Sequence, residues 1–231
     1  MEEYIKSLEN EFANSANSLV AKHQKAYMRD QFDYYGLKTP IRREIQKPFL
    51  ITSYLLPKEV LPKLVKILWD KPQREFQHFG QELVFKYIKG QELDDILLYE
   101  FMITNKSWWD TVDFIAVKLL GAYFKKFPET KATTIKKWLE SNNIWLQRST
   151  VLFQLKYKKE LDTLVLRNTI NNLLGSKEFF INKAIGWVLR EYSRTNPKWV
   201  EEFVENTNLE PLSRREALRL LKVKYSSKMF Y

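Results

Sequence analysis

With 231 residues and 45% apolar content, the chain can bury a substantial core in one domain or one continuous array, which excludes a disordered protein. Six glycines and eight prolines among stretches rich in Leu, Lys, Glu and Ile argue against an all-β fold, and the absence of cysteine excludes a disulfide framework, a thiolate metal site and a cysteine nucleophile. Lys and Arg number 38 against 28 Asp and Glu, a formal net charge of +10; with 15% aromatic residues, this excess suits a polyanion, although a merely basic soluble protein has the same balance.

From the amino end, Met1-Glu-Glu-Tyr4 is acidic where a signal peptide is basic, so the chain is expected in the cytoplasm. Helical periodicity predicts a first helix over 2–22 and a second over 39–55, with Thr39 as N-cap and Pro40 at the first position. Backbone N–H groups at the start of the second helix, with Lys38, Arg42 and Arg43 alongside, form a candidate phosphate cradle. Helices over 58–69 and 73–88 follow, and Pro72 through Arg74 and Glu75 are read as a repeat of that cradle. The two histidines, His23 and His78, supply a metal centre or catalytic triad poorly, and no metal or cofactor is expected.

After a helix over 93–103 comes the most informative segment, Asn105-Lys-Ser-Trp-Trp-Asp-Thr-Val-Asp113. Ser107 and Asp110 have the spacing of a capping box, which starts a helix near Trp108 and carries it to 125. Trp109 and Asp113 are then i and i+4, one above the other, while Val112, Ile115 and Leu119 form the stripe that faces a core. A carboxylate beside an indole, close to a positive helix end, is a candidate site; the plainer reading is a half-buried aromatic beside a solvated charge. Lys118 interrupts the apolar run of 114–124 well short of a membrane span.

A helix over 129–140 precedes one over 144–158, in which Arg148 falls amid Ile144, Trp145, Val151, Leu152 and Leu155. An arginine on an apolar stripe must either reach an anion at the rim of a groove, with Lys156 assisting, or pair with an acid of a neighbouring helix, Asp113 among them. Beyond a helix over 162–174, the helix over 178–192 carries the reverse anomaly. Its core stripe is Ile181, Ala184, Ile185, Val188 and Tyr192, whereas Trp187 shares its face with Lys183 and Arg190. An indole between two cations suits a sugar-phosphate partner; an indole wedged against the next helix is the alternative.

Helices over 198–204 and 213–225 complete the pattern, and the last eight residues are expected to fray. Connections are short, and alternate helices start about 35 residues apart, near 58, 93, 129, 161 and 197, the spacing of a solenoid of helix pairs, with a globular bundle as the alternative. No linker divides the chain, so residues 1–231 are expected to form one all-α domain.

Taken together, Tyr27-Met-Arg, Gly36-Leu-Lys-Thr-Pro-Ile-Arg-Arg43, Leu68-Trp-Asp through Arg74-Glu-Phe-Gln, Lys106-Ser-Trp-Trp-Asp-Thr-Val-Asp113, Asn143-Ile-Trp-Leu-Gln-Arg148, Phe153-Gln-Leu-Lys-Tyr157 and Ser176 through Tyr192 resemble the AlkD-type DNA alkylation repair glycosylases over nearly the whole chain. The resemblance implies a curved solenoid of HEAT-like hairpins with a concave basic groove holding double-stranded DNA. It implies hydrolysis of the N-glycosidic bond of cationic N3- and N7-alkylpurines without base flipping into a pocket. By the same resemblance Asp113 is the catalytic aspartate, acting as a carboxylate, Trp109 and Trp187 contact the sugar, and Tyr27, Arg148, Lys156 and Arg190 contact DNA. A monomer with no membrane association and no obligate protein partner is the corresponding expectation. The competing class is a non-catalytic HEAT-like scaffold binding DNA or protein.

Overall fold

The computed structural model describes residues 1–221, so the end of the helix expected over 213–225 and the expected fraying of the last eight residues lie outside the described part. Every regular element among the described residues is helical, apart from one isolated bridge between Asp33 and Gln73. The chain clusters into two compact units, Met1–Glu92 and the residues from Leu93 onward.

The first unit contains α1 (Glu2–Asn14), α2 (Ser18–Tyr27), α3 (Thr39–Gln46), α4 (Leu61–Asp70) and α5 (Arg74–Lys86). Leu8, Phe12, Leu64, Leu68, Trp69, Phe76 and Phe79 make its core. The helix expected over 2–22 is broken, because Asn17 starts a new one by accepting the Val20 N–H on its side chain. Gly36 packs on the same turn: its φ is +90°, and a Cβ there would lie 2.0 Å from the Asn17 carbonyl oxygen. The helix expected over 39–55 stops at Gln46 for a different reason. Pro48 lacks an N–H, and the chain continues as 3-10 turns at Lys47–Leu50 and Thr52–Tyr54. At its start Lys38, not Thr39, occupies the cap position, with no side-chain cap bond.

The expected second cradle at Pro72–Glu75 is absent from the surface, since Arg74 and Glu75 are buried. A cradle does exist there, with the chain's own carboxylate in it. Glu75 accepts the backbone N–H groups of Tyr35 (3.1 Å), Gly36 (3.0 Å) and Leu37 (3.1 Å).

The second unit contains α6 (Asp95–Thr104), α7 (Trp109–Phe114), a π-helical segment (Ile115–Leu120), α8 (Gly121–Lys126), α9 (Pro128–Leu139), α10 (Ile144–Leu152), α11 (Thr163–Asn172), α12 (Phe179–Tyr192), α13 (Pro197–Glu205) and α14 (Pro211–Ala217). Packing alternates along the chain: α9 lies on α11, α10 on α12, and α12 on α14. That alternation is the layering of stacked helix pairs, each pair covering the apolar face of the one before. Val112, Ile115, Leu119, Ile181, Ala184, Ile185 and Val188 are all buried, so the apolar stripes read from the sequence do face the core. None of the described helices is long and apolar enough to cross a membrane.

Candidate active site

Three helices of the second unit build the site. Trp108 is extended, with φ −158° and ψ 162°, and α7 begins at the next residue, which sets Trp109 and Asp113 one turn apart. The expected capping box does not form. Ser107 donates its hydroxyl to the Ile103 carbonyl, finishing α6 instead of starting α7. Two residues after Asp113 the helix widens into the π-helical segment, a local geometry that recurs at functional sites. Gly121 closes that segment, and a Cβ there would lie 2.8 Å from the Phe153 carbonyl oxygen.

On α10, Asn143 caps the helix by accepting the N–H groups of Trp145 and Leu146, which fixes the register that turns Arg148 inward. Its side chain is 4% exposed and that of Asp113 16%. The two meet in a fork: Nε donates to Oδ1 at 2.7 Å and Nη2 to Oδ2 at 2.9 Å. The remaining Nη1 donates to the carbonyl of Phe180 on α12. One guanidinium thus ties α7, α10 and α12 together. Of the two readings open for Arg148, the internal ion pair with Asp113 is the one formed here.

The Phe180 ring lies 5.9 Å from the Arg148 guanidinium carbon and belongs to an aromatic cluster. Trp108 lies 5.6 Å from Trp145 and 5.2 Å from Phe180, and Trp145 lies 4.9 Å from Phe180, measured between ring centroids. Burial in this surrounding pushes the Asp113 carboxyl above its ordinary value; the Arg148 hydrogen bonds and charge pull it back, and nearby Asp110 adds to the rise.

Trp109 and Trp187 are both half-buried, at the edge of the core rather than in it. Lys183 and Arg190, which share the Trp187 face, both turn to Glu216 of α14. Lys156 is exposed and donates to Glu191 at 2.8 Å. In the first unit, Tyr27, Lys38 and Thr39 are exposed, and the Arg43 guanidinium is exposed while touching Glu82 at 3.2 Å. Arg42 corrects an expectation. Its side chain is 5% exposed and is held by Glu82 (3.0 Å) and Gln46 (2.7 Å), so it belongs to the interior and not to a phosphate cradle.

The acidic partners Glu82, Glu191 and Glu216 and the Phe180 carbonyl carry no signal on their own helices that marks them in the sequence. A signal for two of them was present: Lys156 and Glu191 are 35 residues apart and Lys183 and Glu216 are 33, about one helix-pair repeat.

Residues 8–221 match a family model described as DNA alkylation repair enzyme. The chain is also similar to a solved structure described as a predicted DNA alkylation repair enzyme from Enterococcus faecalis, with 32% identity and a TM-score of 0.82 over 88% of this chain and 95% of that one. None of the curated proteins compared with the chain matches it.

Proposed function

The chain belongs to the DNA alkylation repair enzyme family, and we propose from that premise that it is an AlkD-type glycosylase, hydrolysing the N-glycosidic bond of cationic N3- and N7-alkylpurines in duplex DNA. The observation that carries this reading is the Asp113 carboxylate, fixed by a two-point guanidinium clamp whose arginine also reaches the Phe180 carbonyl and lies by the Phe180 ring. Trp109 stands half-buried one turn away on the same helix, available as a second group of the site.

An alkylated purine already carries positive charge, so it departs as a neutral base and needs no acid to protonate it. As the bond from the anomeric carbon to the purine nitrogen breaks, its electron pair leaves with the base and the sugar becomes cationic. Asp113 stabilises that cation and orients a water, whose oxygen bonds to the anomeric carbon while its proton passes to the carboxylate or to solvent. Each carboxylate oxygen accepts one Arg148 N–H and keeps further lone-pair capacity for this work. The faces of Trp109 and Trp187 add attraction that grows as the sugar gains charge.

In this reading Tyr27, Lys38, Thr39, Arg43, Lys156 and Arg190 contact DNA, the chain acts as a monomeric single domain, and the base stays outside any pocket. Arg148 acts first on Asp113, as its clamp. Incubation with a duplex containing 7-methylguanine is expected to yield free base; binding without release would favour the scaffold instead.

The rate also has an expected pH dependence. Only the ionised Asp113 acts, and burial holds its pKa above the ordinary value of about 4, so activity is present above the raised pKa and is lost as pH falls through it. A single-turnover profile should show an acid limb beginning above the normal carboxylate range. A rate that stays flat down to about pH 4 would contradict this assignment.

A further inference from the structure

We propose that Glu216 is a positioning residue for Trp187: it draws Lys183 and Arg190 off the indole and cancels part of their field where the sugar cation forms. The inference rests on the glycosylase reading above. Lys183, Trp187 and Arg190 lie on one face of α12, four and three residues apart, so both cations flank the indole. Both reach the same acceptor, since Lys183 Nζ lies 2.9 Å from Glu216 Oε1 and Arg190 Nη1 donates to Oε2. Glu216 has 9% of its side chain exposed. The hydrogen bond from Lys183 is the largest influence holding its carboxyl below the ordinary value, with the charges of Lys183, Arg190 and Arg219 adding to it against the effect of burial.

The backbone is shaped to bring this carboxylate in. Gly186 precedes Trp187, and a Cβ at that position would lie 2.5 Å from the Glu216 Cβ and 3.0 Å from the Ser213 carbonyl oxygen. Ser213 fastens the same approach, donating its hydroxyl toward the Asn182 carbonyl at 2.9 Å. Only glycine lets α14 come close enough to set Glu216 between the two cations.

A buried carboxylate that occupies two cations weakens a surface's hold on phosphates, whatever it adds to the packing of α14 on α12. A surface that must stabilise a positive sugar does gain, because two uncompensated cations beside Trp187 would oppose the charge it is meant to attract. The carboxylate therefore has opposite effects on the two steps. It weakens DNA binding and speeds base release.

The test is Glu216→Gln, which keeps the shape and removes the charge, assayed for duplex affinity against salt and for single-turnover release of 7-methylguanine. Release should slow by about three- to tenfold, for one charge acting through a screened, partly buried site. Binding should be as tight or tighter, with a steeper salt dependence as Lys183 is freed to find phosphates and Arg190 no longer shares its charge with Glu216. A merely structural role would impair both steps together. Lys183→Met keeps the question answerable if Glu216→Gln does not fold: with Glu216 intact it should bind DNA more weakly and release base as fast as the parent or faster. Slower release in Lys183→Met, or parental release in a folded Glu216→Gln, would overturn the role of Glu216 alone. A parent protein that releases no base would overturn the glycosylase reading and this role with it.

Discussion

Asp113→Asn is expected to slow the release of 7-methylguanine by about two to three orders of magnitude, the loss that follows when one preorganised electrostatic group is removed from a transition state. The amide keeps the size and planarity of the carboxylate and loses the charge. Duplex binding should change little, because the phosphate contacts lie on other side chains and the helices that carry them remain. Asparagine can accept from only one arm of the Arg148 fork, and the other N–H then faces an amide NH2 group. The thermal midpoint should therefore be measured beside the rate, so that a loss of fold is not read as a loss of chemistry. Trp109→Ala and Trp187→Ala should each slow release by less, with the larger penalty for lesions that depart less readily. Full activity in Asp113→Asn would remove the charge from the mechanism.

The second large effect is on stability and lies in the first unit. Glu75→Gln should cost about 3 kcal/mol or more, because a buried carboxylate that accepts three backbone N–H groups is replaced by an amide whose NH2 end cannot accept. Residue 75 is 1% exposed, so water does not make up the loss. A chain of this length should lose roughly 6–12 °C in its thermal midpoint. Chemical denaturation of both proteins would measure it, and an unchanged midpoint concentration would show that the Tyr35–Leu37 turn holds without its anion.

The sequence was informative wherever a residue's role depends on its own helix. The stripe of Val112, Ile115 and Leu119 is buried, and Trp187 lies off the stripe formed by Ile181, Ala184, Ile185 and Val188, as the 3.6-residue period requires. Breaks were harder to place. Pro48 ends α3 by withholding an N–H, whereas the break at Asn17 depends partly on Gly36, nineteen positions later, packing against it. Ser107 had the right spacing for a capping box but found a nearer acceptor in the Ile103 carbonyl, a competition that spacing alone does not settle.

Charges were the least legible. Arg42, Lys156 and Arg190 read as free cations and Arg148 as either an anion contact or a partner of an acid such as Asp113; each is met by a carboxylate from another element. In a stack of helix pairs the neighbour across a layer lies about one repeat away. Arg148 and Asp113, Lys156 and Glu191, and Lys125 and Glu160 are each 35 residues apart. The period visible in the helix starts therefore also indicates which charges pair.

The most direct test of the central claim is single-turnover release of 7-methylguanine and of uracil from matched duplexes by the parent protein. Cationic 7-methylguanine should leave while neutral uracil stays, because Asp113 stabilises the sugar cation and no acid serves the departing base. Efficient excision of uracil, or no free base from the 7-methylguanine duplex, would contradict the mechanism.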